Sequence, residues 1–229
     1  MIITDISTEI YGGKRMTIKA MIFDLDGTLL NTLDDLCTST NYALSSHNLP
    51  IRTKEEIRSF VGNGVRLLIE RAVPSNTLTT VVDSVFTTFR EHYQLHMNDQ
   101  TRPYDRIIEL LEELHTRNIK TAIVSNKYDV AVKQLANEHF HDLIDVAIGE
   151  SIHIPKKPSP DGILFAINQL GGTIHDCIYI GDSDIDMITA KNANVTGVGV
   201  TWGFRSEDCL LENGAAHIIH HPEELLNLL

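Results

Sequence analysis

Apolar residues along the chain gather in four short runs: Ile18–Phe23, "KTAIVSN" at 120–126, "CIYIGDS" at 177–183 and "TGVGVTWG" at 196–203. Each is rich in β-branched or aromatic residues and stops at a polar residue or a glycine, which predicts strands buried on both faces. Between them the period lengthens. Ile107, Leu110, Leu111 and Leu114 follow the i, i+3, i+4, i+7 spacing of an amphipathic helix. A second helix is expected from Pro160 to Leu170, with Ser159 as N-cap and Gly171–Gly172 at its C-terminal end, and a third opens after Asp186 with Met187, Ile188 and Ala190. Strand alternating with helix predicts an α/β fold, a doubly wound parallel sheet with helices on both faces.

The alternation is interrupted once. Between the first strand and "KTAIVSN", the stretches "TLDDLCTSTNYALSSH", "TKEEIRSFVGNGVRLLIERA" and "TLTTVVDSVFTTFREHYQLH" all read as helical. A crossover needs only about a dozen residues, so the surplus predicts an inserted α-helical cap over residues 32–103, with the sheet domain formed by 16–31 and 104–229. Met16 stands just before the first strand, so residues 1–15 read as an upstream start or a dispensable tail.

Composition narrows the class. With 19 basic and 31 acidic residues the formal charge is −12, which argues against a nucleic-acid or anionic-membrane surface. No apolar run is long enough for a membrane span or a signal peptide, so a cytoplasmic protein is expected. Cys37, Cys177 and Cys209 lack C-x-x-C spacing and read as reduced thiols. The histidines of "EHFHD" (His139, His141) and "HIIHHP" (His217, His220, His221) read as loop and strand-end residues, not metal ligands.

Polar residues stand where the apolar runs end. Asp24 and Asp26 follow the first, Ser125 and Asn126 close the second, and Asp182, Ser183, Asp184 and Asp186 follow the third. In open parallel sheets, ligands bind at the carboxyl ends of the strands near the point where strand order reverses. One sheet edge would therefore collect these residues from distant parts of the chain. "PKKPSPD" at 155–161 adds Lys157, stiffened by the proline that follows it.

The set D-x-D-G-T (24–28), S-N (125–126), K-P-x-P (157–160) and G-D-S-x-x-D (181–186), in that order and with a helical insertion after the first motif, resembles the haloacid dehalogenase superfamily of phosphohydrolases. The resemblance implies that Asp24 attacks phosphorus to form an aspartyl-phosphate, and that Asp26 protonates the leaving group and then activates water. It implies Lys157 as the charge partner of Asp24 and of the phosphoryl group. Ser125, with Gly27, Thr28 and Asn126, is implied to bind the phosphate. Four carboxylates facing a phosphate dianion would repel it, each like-charge pair costing on the order of 4 kcal/mol at 4 Å. A bound Mg²⁺ removes that obstacle. The ligands implied are the side chains of Asp24 and Asp182, the main-chain carbonyl of Asp26, and Asp186 directly or through water. An EF-hand fits worse, because "DLDGTLLNTLDD" has its glycine at the fourth position.

The cap is expected to read the leaving group. "SFVGNGVRLLIERA" (59–72) is similar to the substrate-facing loop of phosphoglycolate phosphatases, as are "RPYDRIIELLEEL" and "GVTWGF"; Asp105 and Glu150 depart from that pattern. Asn63, Gly64 and Arg66 are the expected contacts, Arg66 for a carboxylate. The expected partner is a small phosphorylated metabolite, led by 2-phosphoglycolate, and the expected assembly is a monomer or a homodimer. A pyrophosphatase, a sugar-phosphate phosphatase and a β-phosphoglucomutase-like enzyme are alternatives. A phospho-acceptor switch is an alternative of another class, disfavoured by length and by the insertion.

Overall fold

The structure is a computed structural model that describes residues 17–229, together with the backbone of the antiparallel strands β1 (Ile10–Tyr11) and β2 (Lys14–Arg15). The rest of the expected tail lies outside the described residues. From β3 (Ala20–Phe23) the chain passes through β4 (Leu30–Asn31) into helices α1 (Leu33–Ser46), α2 (Lys54–Phe60), α3 (Val65–Ala72) and α4 (Thr79–His96), and returns through β5 (Arg102–Pro103). It continues through α5 (Ile107–Thr116), β6 (Lys120–Tyr128), α6 (Asp129–Phe140), β7 (Val146–Glu150) and α7 (Asp161–Gln169). The last elements are β8 (Cys177–Gly181), α8 (Asp184–Ala193), β9 (Thr196–Val200), α9 (Glu207–Glu212) and β10 (His217–Ile219).

Six of these strands form one parallel sheet in the order β10-β9-β8-β3-β6-β7. Strand order runs outward from β3 in one direction through β6 and β7, and in the other through β8, β9 and β10, which puts the reversal at β3. Side chains of a strand alternate between faces, and β3 divides accordingly. Met21 and Phe23 join an apolar cluster covered by Leu110, Leu111 and Leu114 of α5 and Val132, Leu135 and Phe140 of α6. Ala20 and Ile22 face the other way, onto Ile163, Ala166 and Ile167 of α7 and Ala190 and Ala193 of α8. The sheet is thus covered on both sides, as the near-continuous apolar strands require.

Helices α1 to α4 bury a separate cluster that includes Leu36, Leu44, Ile57, Leu68, Ile69, Val85, Phe89 and Tyr93. The antiparallel pair β4–β5 brings the way in and the way out together. Asp35, almost fully buried, clamps this junction by accepting hydrogen bonds from the Gln100 and Thr101 N–H groups and from Thr101 Oγ1. The helical stretch 53–72 is divided at its glycine-containing loop: Gly62 and Gly64 sit at φ +119° and +87°, a conformation that ends α2 and re-aims α3.

Other boundaries also differ from the sequence reading. β7 and β10 are additional strands, and β6 runs on to Tyr128. Pro160, not Ser159, is the N-cap of α7; Ser159 Oγ instead donates to Asp161. The C-terminal end follows expectation, with Gly171 and Gly172 N–H groups bonded to the Asn168 and Ile167 carbonyls in a Schellman arrangement. α8 begins at Asp184, so Asp186 lies inside its first turn and not before it. Among the described residues, no helix is long and apolar enough to cross a membrane.

Candidate active site

The carboxyl ends of β3, β6 and β8 meet at the reversal point. Asp24 follows β3 directly, with its N–H donated to the Ile180 carbonyl of β8. Lys157, brought in by the loop before α7, places Nζ 2.8 Å from Asp24 Oδ1, 2.7 Å from Asp186 Oδ1 and 3.0 Å from the Tyr179 hydroxyl. Its side chain is buried, and burial works to lower its pKa. Asp186 and Asp24 more than offset that and hold it well above the ordinary lysine value. Asn126 sets the height of the lysine: Oδ1 accepts from the Lys157 N–H at 2.7 Å, and Nδ2 donates to the Lys157 carbonyl at 3.1 Å and to the Gly62 carbonyl at 3.2 Å.

Asp182, at the end of β8, is held from two sides. Its Oδ1 accepts from Thr28 Oγ1 at 3.1 Å and its Oδ2 from the Phe204 N–H at 2.7 Å. The approach is so close that a Cβ on Gly27 or on Gly203 would overlap the carboxylate, and Gly27 also needs φ +93°. Asp186 is braced more fully: Ser183 donates both N–H (3.0 Å) and Oγ (2.6 Å) to Oδ2, and Lys157 and Tyr179 contact Oδ1.

Asp24, Asp182 and Asp186 each offer a carboxylate oxygen within 4.8 Å of the others, the one such group of potential metal ligands among the described residues. Buried Asp24 Oδ1 has the Lys157 ammonium at 2.8 Å as its polar partner. Burial raises Asp24, Lys157 pulls it back, and Asp186 and Asp26 raise it again, so its pKa is pushed up from 3.8 to about 7. Asp182 is pushed well above the ordinary carboxylate range by burial and then by Asp186 and Asp24. Three hard carboxylate donors converging within 4.8 Å, and acids that resist ionisation without a compensating charge, together fit a small divalent cation. Asp24 and Asp182 are the better placed pair, because each oxygen of Asp186 already meets two donors whereas each oxygen of Asp182 accepts one hydrogen bond.

The carboxylate of Asp26 is turned to a residue the sequence reading passed over. Lys127 Nζ donates to Asp26 Oδ1 at 2.8 Å and Oδ2 at 3.0 Å. Its third bond goes to the hydroxyl of Tyr93, on α4, at 2.7 Å. The signal was a lysine directly after Ser-Asn, inside what proves to be a buried strand.

A cavity of about 40 Å³ lies between these groups and the helical segment. Asp24, Asp26, Ser125 and Lys157 line its polar side; Leu36, Val61, Val65 and Leu68 line the apolar side, with Gly62 and Gly64 between. Of the expected substrate contacts, Asn126 and Gly64 are on this wall, and Asn126 serves mainly to brace Lys157. Gly27 and Thr28 lie behind Asp182, and Asn63 is off the wall. Arg66 is a correction: its guanidinium is on the surface, 2.7 Å from Glu70 and 2.6 Å from Asp83. The apolar residues of α3 face the cap interior, which turns Arg66 outward.

Residues 21–200 match the family described as haloacid dehalogenase-like hydrolase. The chain is 31% identical over 215 residues to a phosphoglycolate phosphatase of Colwellia psychrerythraea, covering 91% of this chain and 95% of that one. It is 30% identical over 218 residues to an N-acetylmuramic acid 6-phosphate phosphatase of Pseudomonas aeruginosa, covering 94% and 96%. The crystal structure of a candidate phosphoglycolate phosphatase from Lactobacillus delbrueckii subsp. bulgaricus superposes with a TM-score of 0.88 at 35% identity, covering 92% of this chain and 97% of that one. The chain therefore belongs to the haloacid dehalogenase-like hydrolases, among the phosphoglycolate phosphatase-like phosphatases of that family.

Proposed function

We propose that the protein is a Mg²⁺-dependent phosphomonoester hydrolase working through an aspartyl-phosphate on Asp24, with 2-phosphoglycolate as the leading substrate. The observation that carries this reading is the junction of Asp24, Lys157, Asp182 and Asp186 at one sheet edge, beside a cavity whose opposite wall is built by the helical segment. Residues 32–103 act as the cap and residues 16–31 with 104–229 as the catalytic core. Bound at Asp24 and Asp182, Mg²⁺ would supply the positive charge that lets a carboxylate meet a phosphate dianion. Asp24 attacks phosphorus as the P–O bond to the alcohol breaks, and Asp26 delivers a proton to the departing oxygen. A water then attacks the aspartyl-phosphate, giving its proton to Asp26, and phosphate leaves. Lys157 neutralises charge on the transferring group, and the Ser125 hydroxyl, on the cavity wall, donates to its oxygens.

The leaving-group side supports a second reading. Arg66 does not face the cavity, so no cap arginine on its wall reads a glycolate carboxylate, and one relative at 30% identity acts on a sugar phosphate. A sugar phosphate is therefore the alternative. The deciding experiment is kcat/KM in Mg²⁺ for 2-phosphoglycolate beside sugar phosphates, N-acetylmuramic acid 6-phosphate and pyrophosphate, with Asp24→Asn as blank. A lead of about a hundredfold for phosphoglycolate, about 2.7 kcal/mol of discrimination, sustains the first reading. A comparable lead for a sugar phosphate transfers the assignment to the second. No Asp24-dependent turnover of any ester would sink both.

A further inference from the structure

Each of the two aspartates in D-x-D has its own lysine and tyrosine. For Asp24 these are Lys157 and Tyr179, and Tyr179 belongs to the sheet. For Asp26 they are Lys127 and Tyr93, and Tyr93 belongs to α4 of the helical segment. The Lys127 side chain is 3% exposed and that of Asp26 15%. An ammonium has three donors. Those of Lys127 match the two oxygens of Asp26 and the hydroxyl of Tyr93, which leaves none for a phosphate. Burial acts to lower the lysine pKa, and Asp26 and Tyr93 overcome it and hold the group charged.

Stability alone is a weak reason for this arrangement. Replacing a buried ion pair by apolar residues of similar size is often neutral or stabilising. The surroundings here would suit one, since Tyr93 lies within the apolar cluster of the helices and stacks on Phe89 with centroids 5.2 Å apart. What the pair does fix is the plane of the Asp26 carboxylate, gripped by both oxygens.

We propose that Lys127 is a positioning residue for the reaction: tethered to Tyr93 of α4, it orients the Asp26 carboxyl group, which gives its proton to the leaving group and takes one back from water, and so ties those steps to the placement of the helical segment. This rests on the reading of Asp26 as acid and base. Lys127 contacts neither phosphorus nor the leaving group in this scheme and acts only through Asp26.

The test compares two small phosphates of nearly the same shape, ethyl phosphate and acetyl phosphate. Ethoxide is a strong base and needs a proton to depart, whereas acetate does not. Because kcat/KM covers only steps up to the first phosphoryl transfer, the ratio between the two substrates reads the acid. Asp26→Asn is expected to lose at least about a hundredfold more on ethyl phosphate than on acetyl phosphate, in line with the usual contribution of general acid catalysis. Lys127→Met should show the same signature, losing at least about tenfold more on the ethyl ester. Tyr93→Phe keeps the ion pair, removes one bond, and should show at least about a threefold difference. It also decides the matter if Lys127→Met does not fold. Equal losses on both substrates in the lysine and tyrosine variants, or a gain, with Asp26→Asn still discriminating, would overturn the positioning role alone. Equal losses in Asp26→Asn would overturn the reading of Asp26 and the inference with it.

Discussion

Asp182 shows how much of a site can depend on the absence of side-chain atoms. Its carboxylate is fixed by the Thr28 hydroxyl and the Phe204 N–H, and both supports come from chain segments that pass it through glycines. Gly203→Ala would put a Cβ into Asp182, and a well-packed site answers such insertion by shifting at a cost of about 1–3 kcal/mol. A displaced ligand weakens the cation site. The Mg²⁺ concentration that half-activates the variant should rise at least about tenfold, equivalent to about 1.4 kcal/mol, as read by titrating activity with Mg²⁺. An unchanged value would remove Asp182 from the cation site. Asp24 and Asp182 stood out in the sequence because several polar residues follow apolar runs at what the pattern predicts to be one sheet edge, and Lys157 because the proline after it stiffens its loop. Lys127 did not, because the strand was taken to end at Asn126 and a lysine beyond it reads as solvated. The placement of Arg66 failed for a different reason. Sequence identifies an amphipathic helix but not which neighbour its polar face meets, and here Glu70 and Asp83 supply a surface partner.

Elements whose period was unambiguous appear where expected, among them β3, β8, α5 and the C-terminal end of α7. β7 and β10 are the two edge strands of the sheet and only partly buried, so neither carries the continuous apolar run that marks the central strands. The start of α8 was displaced by three residues, expected after Asp186 and found at Asp184. In the structure Ser183 and Asp186 form a reciprocal cap: the serine hydroxyl accepts from the Asp186 N–H while the carboxylate accepts from the Ser183 N–H. This cap has a second role, since Asp186 is also a partner of Lys157. Ser183→Ala should lower stability by about 1 kcal/mol, seen as a melting temperature about 2–4 °C lower. Loss of the 2.6 Å bond to Oδ2 should also let Asp186 and Lys157 shift, reducing kcat several-fold. Ser183→Thr, which keeps the hydroxyl, should restore both; a variant that loses stability but keeps full kcat would confine the cap to holding the helix.

At the scale of the whole molecule, a protein of formal charge −12 has gathered three buried acids at the carboxyl edge of its sheet. Without a cation, that cluster opposes folding at neutral pH. Unfolded, Asp24 ionises near 3.8; folded and metal-free, it holds its proton up to about 7. Between those values the native state binds more protons than the unfolded state, so stability from this group is fully present below the lower value and falls as pH rises through the upper. Asp182 is shifted the same way. A dication that takes the place of the protons reverses the loss, and its stabilisation grows with its binding to the ionised form. The melting temperature in chelator should therefore fall from about pH 5 to about pH 8, while the increment from saturating Mg²⁺ should grow over the same range. Asp24→Asn removes one of the acids, so in chelator at the upper pH it should melt above the parent, and its response to Mg²⁺ should be smaller. An increment independent of pH, or one kept in full by Asp24→Asn, would place the cation elsewhere. The growing increment would instead tie Mg²⁺ to the same carboxylates that sequence and geometry single out for the chemistry.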